Sequence, residues 1–192
     1  MSTPRMFFAA MPPPAVRMAI EAAAREYGVL DALGRSLFAP DNWHQSLSER
    51  IFAPNDAQID QLRAVGAAVR AHATTVAYTR IDSAANLSGR IHVTLRAGSD
   101  TAFKPLLGAV QQQLQLAGLG AIATGVTPHV TLSYDAPALL PTVRLPEPVR
   151  WSIDELLLVI GHGHGDAYRY DVLGRWPLLP ERDPPLTQMG LF

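Results

Sequence analysis

The feature that most constrains the fold is a strand–helix–strand pattern that occurs twice in the 192 residues. Phe8 and His44 lie 36 residues apart in the first copy, and Val93 and His129 also lie 36 apart in the second, so an offset of 85 superposes the two copies. Each copy has an apolar strand, a helix with apolar residues at helical spacing, and a second strand. Because only two copies occur, the pattern predicts a duplicated supersecondary unit and not a solenoid.

Each copy predicts two strands and one helix, and further strands and a further helix are predicted between and after the copies. In the first copy Pro12 to Pro14 suit the first turn of a helix, and Gly28 suits its end. In the second copy Ser99 and Asp100 suit the start of the helix. The predicted strands cover 6–10, 43–47, 75–81, 90–95, 129–134, 155–160 and 168–173, the predicted helices cover 12–27, 55–69 and 99–117, and 137–148 is predicted as a proline-rich connection.

Strands that return after helices in paired units predict an α+β fold. The expected architecture is two pseudo-symmetric lobes, each an antiparallel sheet backed by helices, which face one another across a central cleft. The length fits one bilobal domain over 1–178, followed by a C-terminal tail over 179–192.

Composition narrows the class of function. A net charge of −1 argues against a broad cationic face that wraps duplex nucleic acid, but it permits a small anionic substrate. The chain has no cysteine, which excludes disulfides and thiolate chemistry and favours a reducing, cytoplasmic location. No apolar run approaches the roughly 18 residues of a membrane span, and the first residues lack a secretory pattern, so no membrane contact is expected.

Two tetrapeptides occupy equivalent places in the copies. Side chains alternate faces along a strand, so the histidine of each tetrapeptide shares a face with the hydroxyl two residues later. The apolar residues point the other way, toward a helix-backed core. Pseudo-symmetry then brings the two histidine–hydroxyl pairs to opposite sides of one groove. The tetrapeptides are His44-Gln45-Ser46-Leu47 and His129-Val130-Thr131-Leu132.

Two imidazoles on opposite sides of a groove suit phosphodiester cleavage. A neutral histidine takes a proton from water while a protonated one donates to the departing ribose oxygen, and an unperturbed pKa of about 6.5 permits both roles. Each such transfer typically contributes about 10² to 10⁴ in rate. We predict His44 and His129 as the catalytic pair, with Ser46 and Thr131 holding phosphate oxygens. This scheme needs no metal and no cofactor.

The chain also resembles a known family. The pattern His-x-Ser/Thr-x, repeated 85 residues apart, is similar to that of the 2H phosphoesterase superfamily, specifically the LigT-like RNA 2′,3′-cyclic phosphodiesterases, also called 2′-5′ RNA ligases. The resemblance covers nearly the whole chain, with 5–9 as the opening strand, 42–47 and 127–132 as the two motifs and 168–178 as the closing strand. It implies hydrolysis of an RNA 2′,3′-cyclic phosphate to a 2′-phosphate, with 2′-5′ joining as the reverse reaction. We assign His129 as the base that activates water and His44 as the acid toward O3′, but the sequence alone does not fix which histidine has which role.

One position departs from the family pattern. Many members have an arginine two residues after the second motif, where this chain has Tyr134. Arg50 is a candidate substitute, because it shares a face with His44 and Ser46 if the first-motif strand continues. Arg50 and Tyr134 are therefore candidate substrate contacts.

Three further residues are candidate substrate contacts with a competing interpretation. His92 begins a third tetrapeptide of the motif type, but the offset superposes it on Phe7 of the opening strand. We therefore expect His92 to be structural or peripheral, although its face permits contact with substrate. Trp43 and Phe8 are candidates for stacking on a nucleobase, with core packing as the favoured role.

The remaining histidines do not predict a metal centre. His162 and His164 flank a glycine, and no third ligand stands at a recognisable spacing. A glycine-rich turn is the simpler interpretation, so we predict no metal site.

Two alternatives to RNA hydrolysis stay open. The same histidines would serve a phosphodiesterase for a small cyclic nucleotide or a nucleotide-sugar cyclic phosphate. A non-catalytic module that binds RNA ends or nucleotides is the other alternative, and Ser46 and Tyr134 favour it. The expected partner is thus an RNA terminus or a small cyclic-phosphate nucleotide.

The end of the tail contains a further candidate binding segment. Gln188, Leu191 and Phe192 resemble the short peptides that bacterial proteins insert into the replication sliding clamp. An ordinary C-terminal tail is the alternative, since chain ends are often poorly ordered.

Overall fold

Two antiparallel sheets form the frame of the protein. The computed structural model describes residues 3–182. Over these residues it contains nine strands and four helices, joined by turns and short 3₁₀ segments. In chain order they are β1 (Arg5–Ala10), α1 (Pro14–Glu26), α2 (Val29–Leu33), β2 (Gln45–Ser46), β3 (Ile51–Phe52), α3 (Asp56–Ala68), β4 (Thr74–Ala85), β5 (Ile91–Ala97), α4 (Lys104–Leu116), β6 (His129–Ser133), β7 (Val143–Ile153), β8 (Glu155–His162) and β9 (Arg169–Pro177).

The two sheets have corresponding strand orders. The first sheet runs β2-β1-β8-β9, with β3 also paired to β1, and the second runs β6-β5-β4-β7. Neighbouring strands are antiparallel in both. The duplicated units supply β1 with β2 and β5 with β6, while β8 and β9 hold the places that β4 and β7 hold in the second sheet. The prediction of an α+β fold with two pseudo-symmetric lobes is confirmed.

One face of each sheet packs into a shared hydrophobic core, and the other face does not. On β1, Met6 and Phe8 belong to the core, whereas Phe7 belongs to a small separate cluster on the opposite face. On β5, Val93 belongs to the core and His92 lines a groove. The period of two along each strand therefore separates core from groove in both lobes.

The long helices cover the core side of the sheets and join the lobes. α3 begins with a capping box in which the Asn55 side chain accepts from the Gln58 backbone N–H and the Gln58 side chain accepts from the Asn55 backbone N–H. It packs on β8, β9 and α4, while α1 packs on β7 of the other sheet. In the part of the chain that is described, no helix is both long and apolar enough to cross a bilayer.

The proline-rich connection predicted over 137–148 is wrong in part, because β7 occupies Val143–Ile153. β7 is the edge strand, so its prolines remove no hydrogen bond from a second neighbour. The register against β4 also shifts beside Pro146 and Pro148, since Tyr78 lies opposite Val149 but the next pair is Arg80 with Arg144. An edge position and a bulge accommodate prolines that argue against a strand in the sequence.

Residues 179–181 are attached to the start of β4. Leu179 exchanges backbone hydrogen bonds with residues 71 and 73, and the Glu181 carboxylate accepts hydrogen bonds from Thr75. The domain boundary at 178 stays a prediction. The segment proposed for the sliding clamp, with Gln188, Leu191 and Phe192, lies outside the described residues.

Candidate active site

A groove between the two sheets contains both histidines of the repeated motif. Its cavity has a volume of about 560 Å³ and receives side chains from both lobes. His44 and Ser46 enter it from the first sheet, and His129 and Thr131 enter it from β6 of the second. The duplication thus brings two histidine–hydroxyl pairs onto one cavity. Other lining residues are Arg50, Arg80, Asp82, Asn86, His92, Thr94, Arg96 and Tyr134.

The two imidazoles are held by equivalent hydrogen bonds. Nδ1 of His44 lies 2.9 Å from the carbonyl oxygen of Asn42, and Nδ1 of His129 lies 2.8 Å from the carbonyl oxygen of Thr127. A carbonyl oxygen only accepts, so each Nδ1 carries a hydrogen and donates it. The bond sets the tautomer and leaves Nε2 of each ring for proton transfer. A neutral ring can accept a proton there, and a charged ring can donate one.

Both histidines titrate below the usual range. His44 is only 6% exposed. Its pKa is lowered to about 4: burial has the largest effect, the hydrogen bond to Asn42 raises the pKa, and the charge of Arg50 lowers it. Burial also lowers the pKa of His129, and the charges of Arg96 and Arg50 add to the effect. Both rings are therefore neutral at pH 7 in the protein alone, and an anion between them would raise both pKa values.

A wall of aromatic rings runs from the second lobe to His44. The His44 ring centroid lies 4.9 Å from that of Tyr170 and 5.1 Å from that of Phe7. Four further rings follow Tyr170 on the side away from His44. Each ring contacts the next, and the centroids of neighbouring rings are less than 6 Å apart. This wall shields one side of the His44 imidazole from water, which agrees with its low pKa. The continuing rings are Tyr168, Phe38, Tyr134 and His92.

Arg50 reaches the groove through a bend and not along a continued strand, which corrects the expectation from the sequence. β2 ends at Ser46, and the Ser48 hydroxyl turns inward to accept a hydrogen bond from the Phe8 backbone N–H at 3.0 Å. The Arg50 guanidinium carbon lies 5.2 Å from the Phe7 ring centroid. Its Nε is buried and has no hydrogen-bond partner within residues 3–182. An unsatisfied charged donor beside both histidines is suited to a negatively charged ligand.

The second lobe contributes two arginines to the groove that the sequence analysis did not predict. Arg80 and Arg96 lie opposite each other on β4 and β5, and Asp82 Oδ2 lies 2.7 Å from Arg80 Nε and 4.0 Å from Arg96 Nε. With Arg50, the groove holds three arginines and one aspartate, so its lining carries 3 − 1 = +2 when the histidines are neutral. The whole chain carries −1. Positive charge is thus concentrated in the groove.

The sequence contained a signal for Arg96 alone, which alternates with buried residues of β5 and has the same parity as His92 and Thr94. Arg80 has the same sequence parity as the buried Val76 and Tyr78, and the register of β4 shifts between Tyr78 and Arg80. Their place beside His129 depends on the register of β5 against β6, in which Arg96 is the partner of His129. Cross-strand register cannot be derived from one strand alone.

Tyr134 and His92 line the far side of the groove. The His92 ring meets the Tyr134 ring edge-on, with centroids 5.5 Å apart. His92 Nε2 lies 3.2 Å from the side-chain nitrogen of Asn86, which can only donate. His92 Nε2 is thus occupied as an acceptor, unlike Nε2 of the motif histidines. His92 thus lines the groove, and its role there stays a prediction.

Two candidate base-stacking residues do not reach the groove. Trp43 and Phe8 are both 0% exposed and belong to the shared core, where Phe8 packs against Trp176. A fully buried ring has no free face for a nucleobase, so the stacking interpretation is wrong for both. Phe7, one residue earlier, is on the groove side and packs on His44. Strand parity puts Phe7 on the opposite face from Phe8.

His162 is the last residue of β8, and its side chain contacts an aspartate of β9. His162 Nε2 lies 2.6 Å from Asp171 Oδ2, and this hydrogen bond lowers the pKa of Asp171. No group of three histidine, cysteine, aspartate or glutamate side chains suited to a metal ion occurs between residues 3 and 182.

The sequence matches no family model and no curated protein, but the fold matches solved structures. The protein TT0787 of Thermus thermophilus has a TM-score of 0.72 at 20% identity, over 93% of this chain and 100% of that one. E. coli LigT in its apo form has a TM-score of 0.70 at 21% identity, over 93% and 99%. A crystal structure described as a phosphoesterase has a TM-score of 0.67 at 22% identity, over the same shares. Over nearly its whole length, this chain therefore has the two-lobed α+β fold of E. coli LigT.

Proposed function

We propose that this protein is a phosphodiesterase that hydrolyses the 2′,3′-cyclic phosphate at an RNA end and leaves a 2′-phosphate. The observation that carries the proposal is the pair of imidazoles on opposite sides of one cationic groove, each with Nδ1 bonded to a carbonyl and Nε2 available. The shared fold supports it, because E. coli LigT has been crystallised with phosphate and with 3′-AMP. At about 20% identity the fold alone does not supply a substrate. The chemistry therefore rests on the groove.

The proposed reaction breaks one bond and forms one. A water oxygen attacks phosphorus on the side opposite O3′, and the Nε2 of one histidine accepts the proton of that water. The P–O3′ bond breaks as the Nε2 of the other histidine donates its proton to O3′. The product has a 3′-hydroxyl and a 2′-phosphate, and the two rings have exchanged protonation states. If a 5′-hydroxyl replaces water, the same step forms a 2′-5′ bond.

The groove also offers donors for the phosphate oxygens that gain charge in the transition state. Ser46 and Thr131 each lie two residues after a motif histidine and face the same groove. We propose that their hydroxyls donate hydrogen bonds to these oxygens. A phosphate bound in the groove would give the Nε–H of Arg50 the hydrogen-bond acceptor that it lacks. We propose that Arg50 replaces the arginine whose family position is occupied by Tyr134.

The pKa values favour a reversed assignment of acid and base. The larger shift is at His44, whose pKa of about 4 keeps it neutral and able to accept a proton. His129 is less buried and retains a proton to higher pH. In the protein alone, His44 therefore has the neutral form that a general base needs and His129 more readily has the protonated form that a general acid needs, which is the reverse of the assignment made from the sequence.

The test is an assay with a nucleoside 2′,3′-cyclic phosphate, with and without a chelator. His44→Ala and His129→Ala should each lower kcat by about 10² to 10⁴, because each removes one proton transfer. Wild-type activity should survive chelation and give the 2′-phosphate, identified by ³¹P NMR. His164→Ala is the matched control, since His164 is exposed and outside the groove. Undiminished kcat in both groove variants, or loss of activity with chelator, would refute the proposal.

A further inference from the structure

A row of arginines crosses the second sheet from His129 to the sheet edge. Arg96 on β5 is the register partner of His129 on β6, and Arg80 on β4 is the partner of Arg96. Arg144 on the edge strand β7 is the partner of Arg80. Each strand of the sheet thus contributes one residue to a line that begins at a motif histidine. We refer to Arg96, Arg80 and Arg144 as the arginine row.

The adjacent line of residues shows which face carries the arginine row. Its members are paired across the same four strands, and all of them pack in or against the shared core. Because side chains alternate, the arginine row faces the groove side. Arg96 and Arg80 line the cavity itself, and Arg144 is exposed beyond it. The adjacent line consists of Val130, Leu95 and Ile81, which are buried in the shared core, and Val143, which is partly buried and packs against it.

Like charges dominate this face. Arginines at facing positions of neighbouring strands repel one another unless a carboxylate lies between them. Asp82 is the one carboxylate that pairs with the row in the described part of the chain, through Arg80 and Arg96, and Arg144 has no ion pair there. The row and Asp82 together carry 3 − 1 = +2. An anionic ligand along the row would offset this repulsion.

The guanidinium groups keep donors for such a ligand. Arg96 donates Nε–H to the Thr94 hydroxyl at 3.1 Å, and its two terminal nitrogens have no protein acceptor in the described structure. Arg80 uses Nε on Asp82 and one terminal nitrogen on the Ala97 carbonyl, which leaves the other terminal nitrogen. Terminal guanidinium nitrogens match the oxygens of a phosphate.

We propose that the groove takes the end of an oligonucleotide, and that the arginine row binds the phosphates on the 5′ side of the cyclic phosphate. The inference rests on the proposed function, because it places the cyclic phosphate between His44 and His129. Adjacent strands are about 4.8 Å apart, so the Arg96, Arg80 and Arg144 backbones lie roughly 5, 10 and 14 Å from that of His129. A nucleoside cyclic phosphate with a free 5′-hydroxyl has no charge to place there, whereas a strand has one phosphate per nucleotide. The row therefore selects an RNA end over a small cyclic nucleotide.

The test compares adenosine 2′,3′-cyclic phosphate with a pentaadenylate that ends in the same group. We expect the wild-type kcat/KM to be at least about tenfold higher for the oligonucleotide, since several phosphate contacts are added. Arg144→Ala should lower this oligonucleotide-to-mononucleotide ratio several-fold, mainly through KM. It should also make the slope of log(kcat/KM) against log salt less negative by about 0.7, the value for one phosphate contact on a single strand.

Arg150→Ala is the matched control. Arg150 is also an exposed arginine of β7, but it pairs with Ala77 on the other side of the register shift and lies outside the row. The ratio and the salt slope should match those of the wild type. No preference of the wild type for the oligonucleotide, or an unchanged ratio in Arg144→Ala, would overturn the inference.

Two additional arms separate the explanations. If adenosine 2′,3′-cyclic phosphate with a 5′-triphosphate shows the full preference, the row binds a polyphosphate group and the strand proposal is wrong. Anisotropy of a fluorescent oligonucleotide with a 2′-phosphate end measures binding without turnover. Weaker binding in Arg144→Ala with no wild-type turnover would refute the proposed function and support the row. Normal turnover with equal Kd in both proteins would refute the row alone.

Discussion

At the scale of single residues, the two halves of the groove are equivalent in geometry but not in environment. His44 and His129 make the same backbone hydrogen bond, so neither is distinguished by tautomer. They differ in burial, because His44 lies behind the rings of Phe7 and Tyr170 whereas His129 lies beside Arg96. Any difference in protonation between these two identical side chains therefore has to come from their surroundings.

The pKa values predict that kcat/KM is highest on the acid side of neutrality. This parameter reports the free enzyme, in which the proposed mechanism requires one imidazole to be neutral and the other protonated. Since His44 has a pKa of about 4 and that of His129 is below 6.5, the required proton is lost as pH rises through the pKa of His129, which it passes before pH 6.5. We expect kcat/KM, measured from pH 4 to 9, to fall tenfold per unit on the alkaline side. A value that rises between pH 6.5 and 8 would contradict this.

Arg50→Met should move that alkaline limb. The Arg50 charge lowers the pKa of both histidines, so its removal should raise both and shift the limb to higher pH. The rate should fall at the same time, because the proposed contact of Arg50 with phosphate is lost. A lowered rate with an unmoved limb would indicate that Arg50 acts only on the substrate.

An activated leaving group should separate the acid from the base. A nucleoside 4-nitrophenyl phosphodiester departs as a stable phenolate and needs no proton, so loss of the acid matters little. If His44 is the base, His129→Ala should retain most of its activity on this ester, and His44→Ala should lose it on both substrates. Release of 4-nitrophenolate gives the readout by absorbance. The opposite pattern would support His129 as the base, and equal losses would argue against separate roles.

Sequence patterns identified the residues whose position depends on one strand. The pairing of His44 with Ser46 and of His129 with Thr131 needs only alternation along a strand. Arg80 and Arg96 were missed because they reach the groove through the pairing of β4, β5 and β6. Partners of that kind are set by register, which a single sequence does not show.

At the scale of elements, the contact of α3 with β9 depends on the absence of one side chain. The Trp176 ring lies against Gly66 of α3, and a Cβ at Gly66 would be 2.4 Å from that ring. Gly66→Ala should therefore lower the free energy of unfolding by about 1–3 kcal/mol through overpacking, although alanine favours a helix. Urea denaturation measures the change.

Gly108→Ala is the matched control for this prediction. Gly108 lies within α4, and a Cβ there would have no neighbour within 4 Å. Only helix propensity acts at this position, so the substitution should raise the free energy of unfolding by up to about 1 kcal/mol. The same sign in both variants would show that the contact with Trp176 has no energetic weight.

The elements that sequence reasoning located are those with a strong local period. The helices around Ile20, Leu62 and Val110 were predicted because their apolar residues recur at helical spacing. The strand β7 was assigned in part to a connection because Pro146 and Pro148 argue against a strand. Its edge position is a property of the assembled sheet, so local sequence does not predict it.

At the scale of the whole molecule, the duplicated lobes are not independent folding units. The shared core includes Phe8 of the first sheet and Leu95 of the second, and α1, which follows β1 in the chain, packs on β7 of the other sheet. The chain also crosses twice, since β8 and β9 return to the first sheet after the second is complete. Geometry at the groove therefore depends on both lobes at once.

This predicts a single cooperative unfolding transition with the same midpoint in both lobes. Trp43 in the first lobe and Trp151 in the second are buried at 0% and 2% exposure, and each can serve as the sole fluorophore when the other two tryptophans are replaced by phenylalanine. Within each reporter background, urea midpoints from fluorescence and from circular dichroism should coincide.

Leu95→Ala makes this test sharper, because it creates a cavity in the second lobe alone. Leu95 is 0% exposed, so its truncation should cost about 2–5 kcal/mol. If the lobes share one core, the loss in free energy of unfolding should be equal whether Trp43 or Trp151 reports it. Leu116→Ala is the control: this position is 73% exposed, so the substitution should change the free energy of unfolding reported by neither tryptophan. A loss seen by Trp151 but not by Trp43 would mean that the lobes unfold separately. The histidines would then be held together only by the contact between two lobes that are stable on their own.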